Sequence, residues 1–119
     1  GLETTGANSI DFKNSRYLIV VGGNFAKDRD ASKNCFISTD GGQHWKAPQQ
    51  GPAGFRSSVC HLSAGNWLTC GTSGVDVSKD GGMNWRLISV ESFHVCRKAK
   101  HGSSVFLAGA DGRVALFAW

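Results

Sequence analysis

Two aspartates, an arginine and a histidine at related positions, one tyrosine and four cysteines are the residues of this chain best suited to chemistry. Asp40 and Asp80 sit in the same frame, Ser38-Thr39-Asp40-Gly41-Gly42-Gln43-His44-Trp45 and, forty residues on, Ser78-Lys79-Asp80-Gly81-Gly82-Met83-Asn84-Trp85. A carboxylate ahead of two glycines suits turn chemistry better than acid–base catalysis. The glycines take positive φ without steric cost, and the aspartate can accept bonds from the turn's own N–H groups. Ser38 and Ser78 can close the same turn, while Trp45 and Trp85 begin the return strand and offer a large apolar body with one donor. Both boxes are therefore expected to be structural, with each carboxylate holding backbone donors and both tryptophans largely buried.

The remaining candidates give weaker signals. Arg56 and His94 occupy equivalent places after Phe55 and Phe93. If neighbouring units present them around one axis, they form a polar pair at the mouth of a central channel, where the choice lies between binding a ligand and capping with water. Tyr17 lies inside the apolar run 17–21 and reads as a packed ring rather than a nucleophile. Cys35, Cys60, Cys70 and Cys96 lack the short paired spacings of zinc sites, so no metal is assigned. Cys35 and Cys70 read as small buried hydrophobes. Four cysteines permit three full disulfide pairings, and the sequence does not choose among them. No G-x-G-x-x-G opens a helix, and there is no phosphate loop, C-x-x-C pair or G-x-S-x-G elbow, so neither a cofactor nor a catalytic residue is assigned.

These residues need a scaffold, and the chain repeats itself. The boxes recur at about 40 residues, and at an offset of 38 Phe55 falls on Phe93, Arg56 on His94, Trp67 on Val105, Gly71 on Gly109 and Gly74 on Gly112. A period near 40 is the mark of tandem four-stranded units, each needing a neighbour to cover its apolar faces. Glycines around a two-residue link between apolar runs, as at 67–77 and 105–116, predict hairpins. No segment has helical periodicity over three turns, so the reading is all-β. It gives three antiparallel blades, about 9–48, 55–89 and 92–119. The first would use strands near 9–13, 16–21, 34–38 and 44–47, and the second 56–62, 66–70, 75–78 and 84–88. The third, at 94–98, 104–108 and 113–118, lacks its fourth strand.

The box S-x-D-G-G-x-x-W resembles the Asp-box, or BNR repeat, of sialidase-like β-propellers. Segments 21–25, 38–45, 54–57, 70–75, 78–85, 91–96 and 106–113 are similar to bacterial propellers related to the photosystem II stability and assembly factor, some of them labelled oxidoreductase. That label finds no support in these residues. The resemblance implies a propeller of six or seven blades, outside the cytoplasm, acting as a non-enzymatic scaffold for a protein or glycan. The alternative is a sialidase-like glycoside hydrolase whose catalytic residues lie mainly in blades beyond these three. Three blades leave two faces open, so the chain is expected to be a piece of a longer propeller and to associate with further blades or with itself.

Charge adds little. The formal charge is +4, from 13 Lys and Arg against 9 Asp and Glu. The one basic cluster, Arg97, Lys98, Lys100 and His101, lacks interleaved aromatics and falls on a turn, which argues against nucleic acid. The insertion residues Lys27, Asp28, Arg29, Asp30 and Lys33 mix signs, which suits a solvated rim, although a loop on a rigid scaffold is also where binding residues are placed. No run is long and apolar enough to span a membrane.

Overall fold

The computed structural model describes residues 7–23, 26, 34–99 and 104–118. It is built of three antiparallel sheets. The first contains β1 (Ala7–Phe12), β2 (Leu18–Gly22) and β3 (Cys35–Ser38), in that order. The second contains β4 (Ser58–Ser63), β5 (Asn66–Gly71), β6 (Gly74–Ser78) and β7 (Trp85–Ser89). The third contains β8 (Val95–Lys98), β9 (Ser104–Ala108) and β10 (Val114–Ala118), with one 3-10 turn at Ala110–Gly112. The basic residues Lys100 and His101 and the insertion 27–33 lie outside the described residues.

The sheets stand side by side, with their first strands as neighbours. Side chains on these inner strands tie one blade to the next: Val59 N donates to Ser9 Oγ at 3.2 Å, His61 N to Asp11 Oδ2 at 2.7 Å, and Ser57 Oγ to His94 O at 2.7 Å. The connecting segments also dock backbone to backbone. Arg56 N donates to Gly22 O at 2.9 Å and Phe93 N to Gly71 O at 3.1 Å, so each link to a new blade rests on the second strand of the previous one.

Alternation along the strands places the core between sheets. Ile19, Val21, Cys35 and Ile37 of the first blade meet Val59, Trp67 and Trp85 of the second. Cys60, Leu62, Leu68, Cys70 and Val75 meet Phe93, Cys96, Val105 and Leu107 of the third. The middle blade is thus covered on both sides, and the outer two on one side each. On the other face of the first blade Phe12 is 62% exposed, and on that of the third Val114 is 68% exposed.

Two expectations are corrected. The first blade has no fourth strand at 44–47, only a single bridge between Ile37 and Lys46. The chain leaves at Pro48, which has no N–H to continue a ladder. It then pairs with the next blade, where Gln50 N donates to Met83 O at 3.0 Å and Trp85 N to Gln50 O at 2.9 Å. The second correction concerns Trp45, which is 40% exposed whereas Trp85 is 3% exposed. Blade one packs over Trp85, but among the described residues no sheet covers the face that carries Trp45.

Gly71 and Gly74 end the paired strands of a hairpin, as their spacing predicts. Crowding demands them as much as turning does. A Cβ on Gly71 would lie 2.2 Å from Phe55 O and 3.0 Å from Arg56 Cα, both of them backbone atoms that cannot swing aside. Gly112, at φ +72°, has nothing within 4 Å of such a carbon. We expect Gly71→Ala to cost about 3 kcal/mol or more through overpacking, and Gly112→Ala only about 1 kcal/mol for its left-handed backbone. Thermal denaturation of both variants checks this, and equal losses would contradict the packing account.

Candidate functional site

The two boxes fold into the same turn and share its serine and aspartate bonds, the first adding one more backbone donor to its carboxylate. Ser38 Oγ donates to Asp40 Oδ1 at 2.8 Å and accepts from Gly42 N at 2.8 Å, while Ser78 Oγ does the same with Asp80 and Gly82 N, each at 2.9 Å. Asp40 Oδ1 takes Gln43 N at 3.0 Å and His44 N at 2.9 Å, and Asp80 Oδ1 takes Asn84 N at 2.9 Å. The glycine pairs provide the left-handed backbone, with φ of 76° and 95° at Gly41 and Gly42 and 77° and 88° at Gly81 and Gly82. The position before the tryptophan completes the carboxylate's shell. His44 Nδ1 reaches Asp40 Oδ2 at 2.6 Å, and Asn84 Nδ2 donates to Asp80 Oδ2 at 2.8 Å.

Hydrogen bonding to the charged form holds both carboxyls below the ordinary carboxylate range. At Asp40 the His44 backbone N–H leads, followed by its ring; at Asp80 the Asn84 side chain leads. The second box also joins two blades. The Tyr17 hydroxyl, from the first blade, donates to Gly81 O, and a Cβ on Gly82 would lie 2.4 Å from Ile19 Cδ1. In the first box the nearest atom to such a carbon on Gly42 is Cζ2 of its own Trp45, at 3.6 Å. Burial, then the nearby Asp80 charge, pushes the Tyr17 phenol up.

The offset of 38 matches Arg56 with His94, but the structure corrects this register by one residue: Arg56 N docks on Gly22 O as Phe93 N docks on Gly71 O, and Ser57 N donates to Cys70 O as His94 N does to Ala108 O, so Arg56 takes the place of Phe93 and His94 that of Ser57. Arg56 is fully buried, and its Nε donates to Asp76 Oδ2 at 2.7 Å. Nη1 donates to Phe55 O at 2.8 Å and Ser73 Oγ at 3.0 Å, while Nη2 has no hydrogen bond. Asp76 in turn accepts Ala53 N on both oxygens at 3.3 Å. Buried Asn34 pins the same loop from the first blade, donating to Pro52 O at 2.7 Å and Gly54 O at 2.9 Å. The guanidinium is thus sealed beneath the loop 52–56, and His94 is exposed beside it.

Asp76 is the residue that sequence reasoning missed. In the third blade Phe93 stands in the place of Arg56, and Ala115, which pairs with Leu107 as Asp76 pairs with Thr69, stands in the place of Asp76, so that blade lacks both members of the ion pair. A narrow cleft of about 370 Å³ runs along the inner strands, lined by Ser9, Asp11, Ser58, Cys60, Cys96 and Lys98 among others. Among the described residues no group of three or more His, Cys, Asp or Glu is placed to hold a metal ion. No described helix is long and apolar enough to cross a membrane.

Adjacent antiparallel blades around an inner-strand axis, stitched by Asp-box turns, define a section of a β-propeller. The BNR/Asp-box repeat family matches residues 36–47, the first of the two boxes. No curated protein matches the chain. Among solved structures it is similar to YCF48 bound to D1 peptide, at 20% identity and a TM-score of 0.72 over 96% of this chain and 38% of that one. The chain therefore spans little more than a third of that structure's length, and the likeness is one of fold.

Removing one partner of a buried ion pair leaves the other charge uncompensated. We expect Asp76→Ala to cost about 3–5 kcal/mol in urea unfolding, and Arg56→Met with Asp76→Leu to recover most of that loss. A single-variant cost below about 1 kcal/mol would show that the pair does not anchor the loop. The boxes make a separate prediction in acid. Because both carboxyls titrate lower when folded, their contribution is present above the unfolded carboxylate pKa of about 4 and is lost as pH falls below it. The thermal midpoint should decline from pH 4 to 2. Asp40→Asn with Asp80→Asn, which keeps an acceptor oxygen but no charge, should flatten that decline.

Proposed function

We propose that this chain is a non-enzymatic section of a β-propeller that serves as a binding or assembly scaffold. One observation carries the reading: the side chains suited to chemistry are engaged in holding the blades. Tyr17 bonds the box turn of the next blade, Arg56 and Asp76 neutralise each other in the interior, and both box aspartates saturate their own turns. A tyrosine, an arginine and carboxylates so committed do not present the cluster that glycosidic chemistry of the sialidase type needs. What remains available is surface, including the exposed Arg97, which lines the inner cleft, and the exposed His94 just before β8.

A protein segment is the partner we favour over a glycan, because the similar fold of YCF48 is seen bound to a peptide and loops on a rigid scaffold suit that use. The address outside the cytoplasm that the resemblance implies is part of the proposal. So is association with further blades or with a second copy through the outer faces. Ile10 and Phe12 on one side and Val114 and Leu116 on the other are more than half exposed, and open apolar sheet faces favour coverage.

A fluorogenic sialoside should show no turnover. An array of extended peptides should show binding that His94→Ala or Arg97→Glu weakens at least about tenfold, or 1.4 kcal/mol, and that Val90→Ser, at an exposed position outside the cleft lining, leaves unchanged. Sialoside turnover abolished by Tyr17→Phe would overturn the scaffold reading. Light scattering should show association relieved by Phe12→Lys or Leu116→Lys, and a monomer at all concentrations would remove that part of the proposal.

A further inference from the structure

Three of the four cysteines meet in one place. Cys60 on β4, Cys70 on β5 and Cys96 on β8 all belong to the core between the second and third blades, and all are free thiols. Cys96, in a different sheet from the other two, has its side chain in contact with both Cys60 and Cys70. Ser58 Oγ accepts Cys96 N at 3.2 Å and donates to Cys96 O at 3.3 Å, and Lys98 Nζ donates to Leu62 O at 2.6 Å. Residues 58, 60 and 62 share one face of β4, as 96 and 98 share one face of β8. These two ties hold β4 alongside β8 on either side of Cys60, and the Cys60 and Cys96 side chains are in contact. Cys70, paired with Ser58 across the β4–β5 ladder, lies behind them.

Access separates the three. Cys60 and Cys96 line the inner cleft and are each 5% exposed, whereas Cys70 does not line it and is 0% exposed. A thiol that served only as a small hydrophobe would have no reason to face a cleft walled by Ser9, Asp11, Ser58 and Lys98. Cys35 shows that plainer role, closed in the other core, where burial pushes its thiol up to about 12.

We propose that Cys60 and Cys96 form a redox-active dithiol, reached through the inner cleft, which small-molecule disulfides oxidise to a disulfide joining the second and third blades. Hydrogen bonding from Cys60, then Cys70 and Ser58, holds the Cys96 thiol well below its ordinary value, while the same contacts and burial push Cys60 and Cys70 up. Cys96, whose sulfur lies 3.6 Å from the Ser58 hydroxyl in the wall of the cleft, is the attacking thiolate. Its sulfur attacks one sulfur of RSSR, forming Cys96–S–S–R and releasing RS⁻. The Cys60 sulfur then attacks the Cys96 sulfur and releases the second RS⁻, while the Cys60 proton passes to that departing thiolate. The dithiol loses two electrons and the small disulfide gains them. The new bond adds a covalent staple to two blades held by packing, side-chain bonds and the backbone bond from Phe93 N to Gly71 O, and it closes the loop from residue 60 to residue 96.

The test uses the whole chain, with oxidised glutathione as the probe. After incubation the protein is denatured in an alkylating agent, and its thiols are counted and mapped by mass spectrometry. Two of four cysteines should escape alkylation and map to one Cys60–Cys96 peptide pair. Cys60→Ser should stop at a single glutathione adduct on Cys96, and Cys96→Ser should keep all three of its thiols. Cys35→Ser should oxidise like the parent. Four alkylated cysteines in the parent chain, or a disulfide mapping to Cys35 or Cys70, would overturn the proposal without recourse to any variant.

Discussion

Each sheet of this protein is apolar on both faces, and a sheet with two apolar faces is stable only between neighbours. The middle blade shows the constraint satisfied: Val59, Trp67 and Trp85 face one neighbour, while Leu62, Leu68 and Val75 face the other. The outer blades show it half satisfied, with Ile10 and Phe12 open on one side and Val114 and Leu116 on the other. The remaining features serve to set one blade at a fixed angle and register against the next, because face-to-face packing alone has no direction.

Direction comes from polar contacts at the two ends of each blade. At one end the Asp-box turn stiffens the return hairpin, and in the second blade it is also clasped by Tyr17 and Ile19 of the first. At the other end the loop 52–56 is pinned from the first blade by Asn34 and from the second by Asp76, which also takes the buried Arg56 Nε. Serines on the inner strands complete the set, Ser9 toward Val59 and Ser58 toward Cys96. A buried ion pair is an expensive way to hold a loop. Its worth here is specificity, since a guanidinium with one carboxylate in reach admits one position for the link between blades.

The same economy of roles frames the thiols. Cys35, Cys60, Cys70 and Cys96 all fill core volume between strands. Only where two inner strands meet does the filling lie against a polar cleft, and there the environment of Cys96 is set by two further thiols and a serine. A packing position and a reactive position thus differ by which wall of the blade the residue occupies.

The sequence by itself determined the repeat, the turn and the class of fold. The Asp-box bonds join residues two to four apart, and the strand runs and hairpin glycines are equally local, so contiguous residues suffice to specify them. The exposure of Trp45, the partner of Arg56, the meeting of Cys60 with Cys96 and the loss of a fourth strand at 44–47 were decided only by tertiary structure. Trp45 and Trp85 occupy identical frames, and only the presence of a sheet alongside separates their fates. Arg56 and Asp76 are twenty residues apart, and Cys60 and Cys96 lie in different blades. Their contacts depend on register across strands and between sheets, which is fixed by how whole faces pack and is written in no single segment.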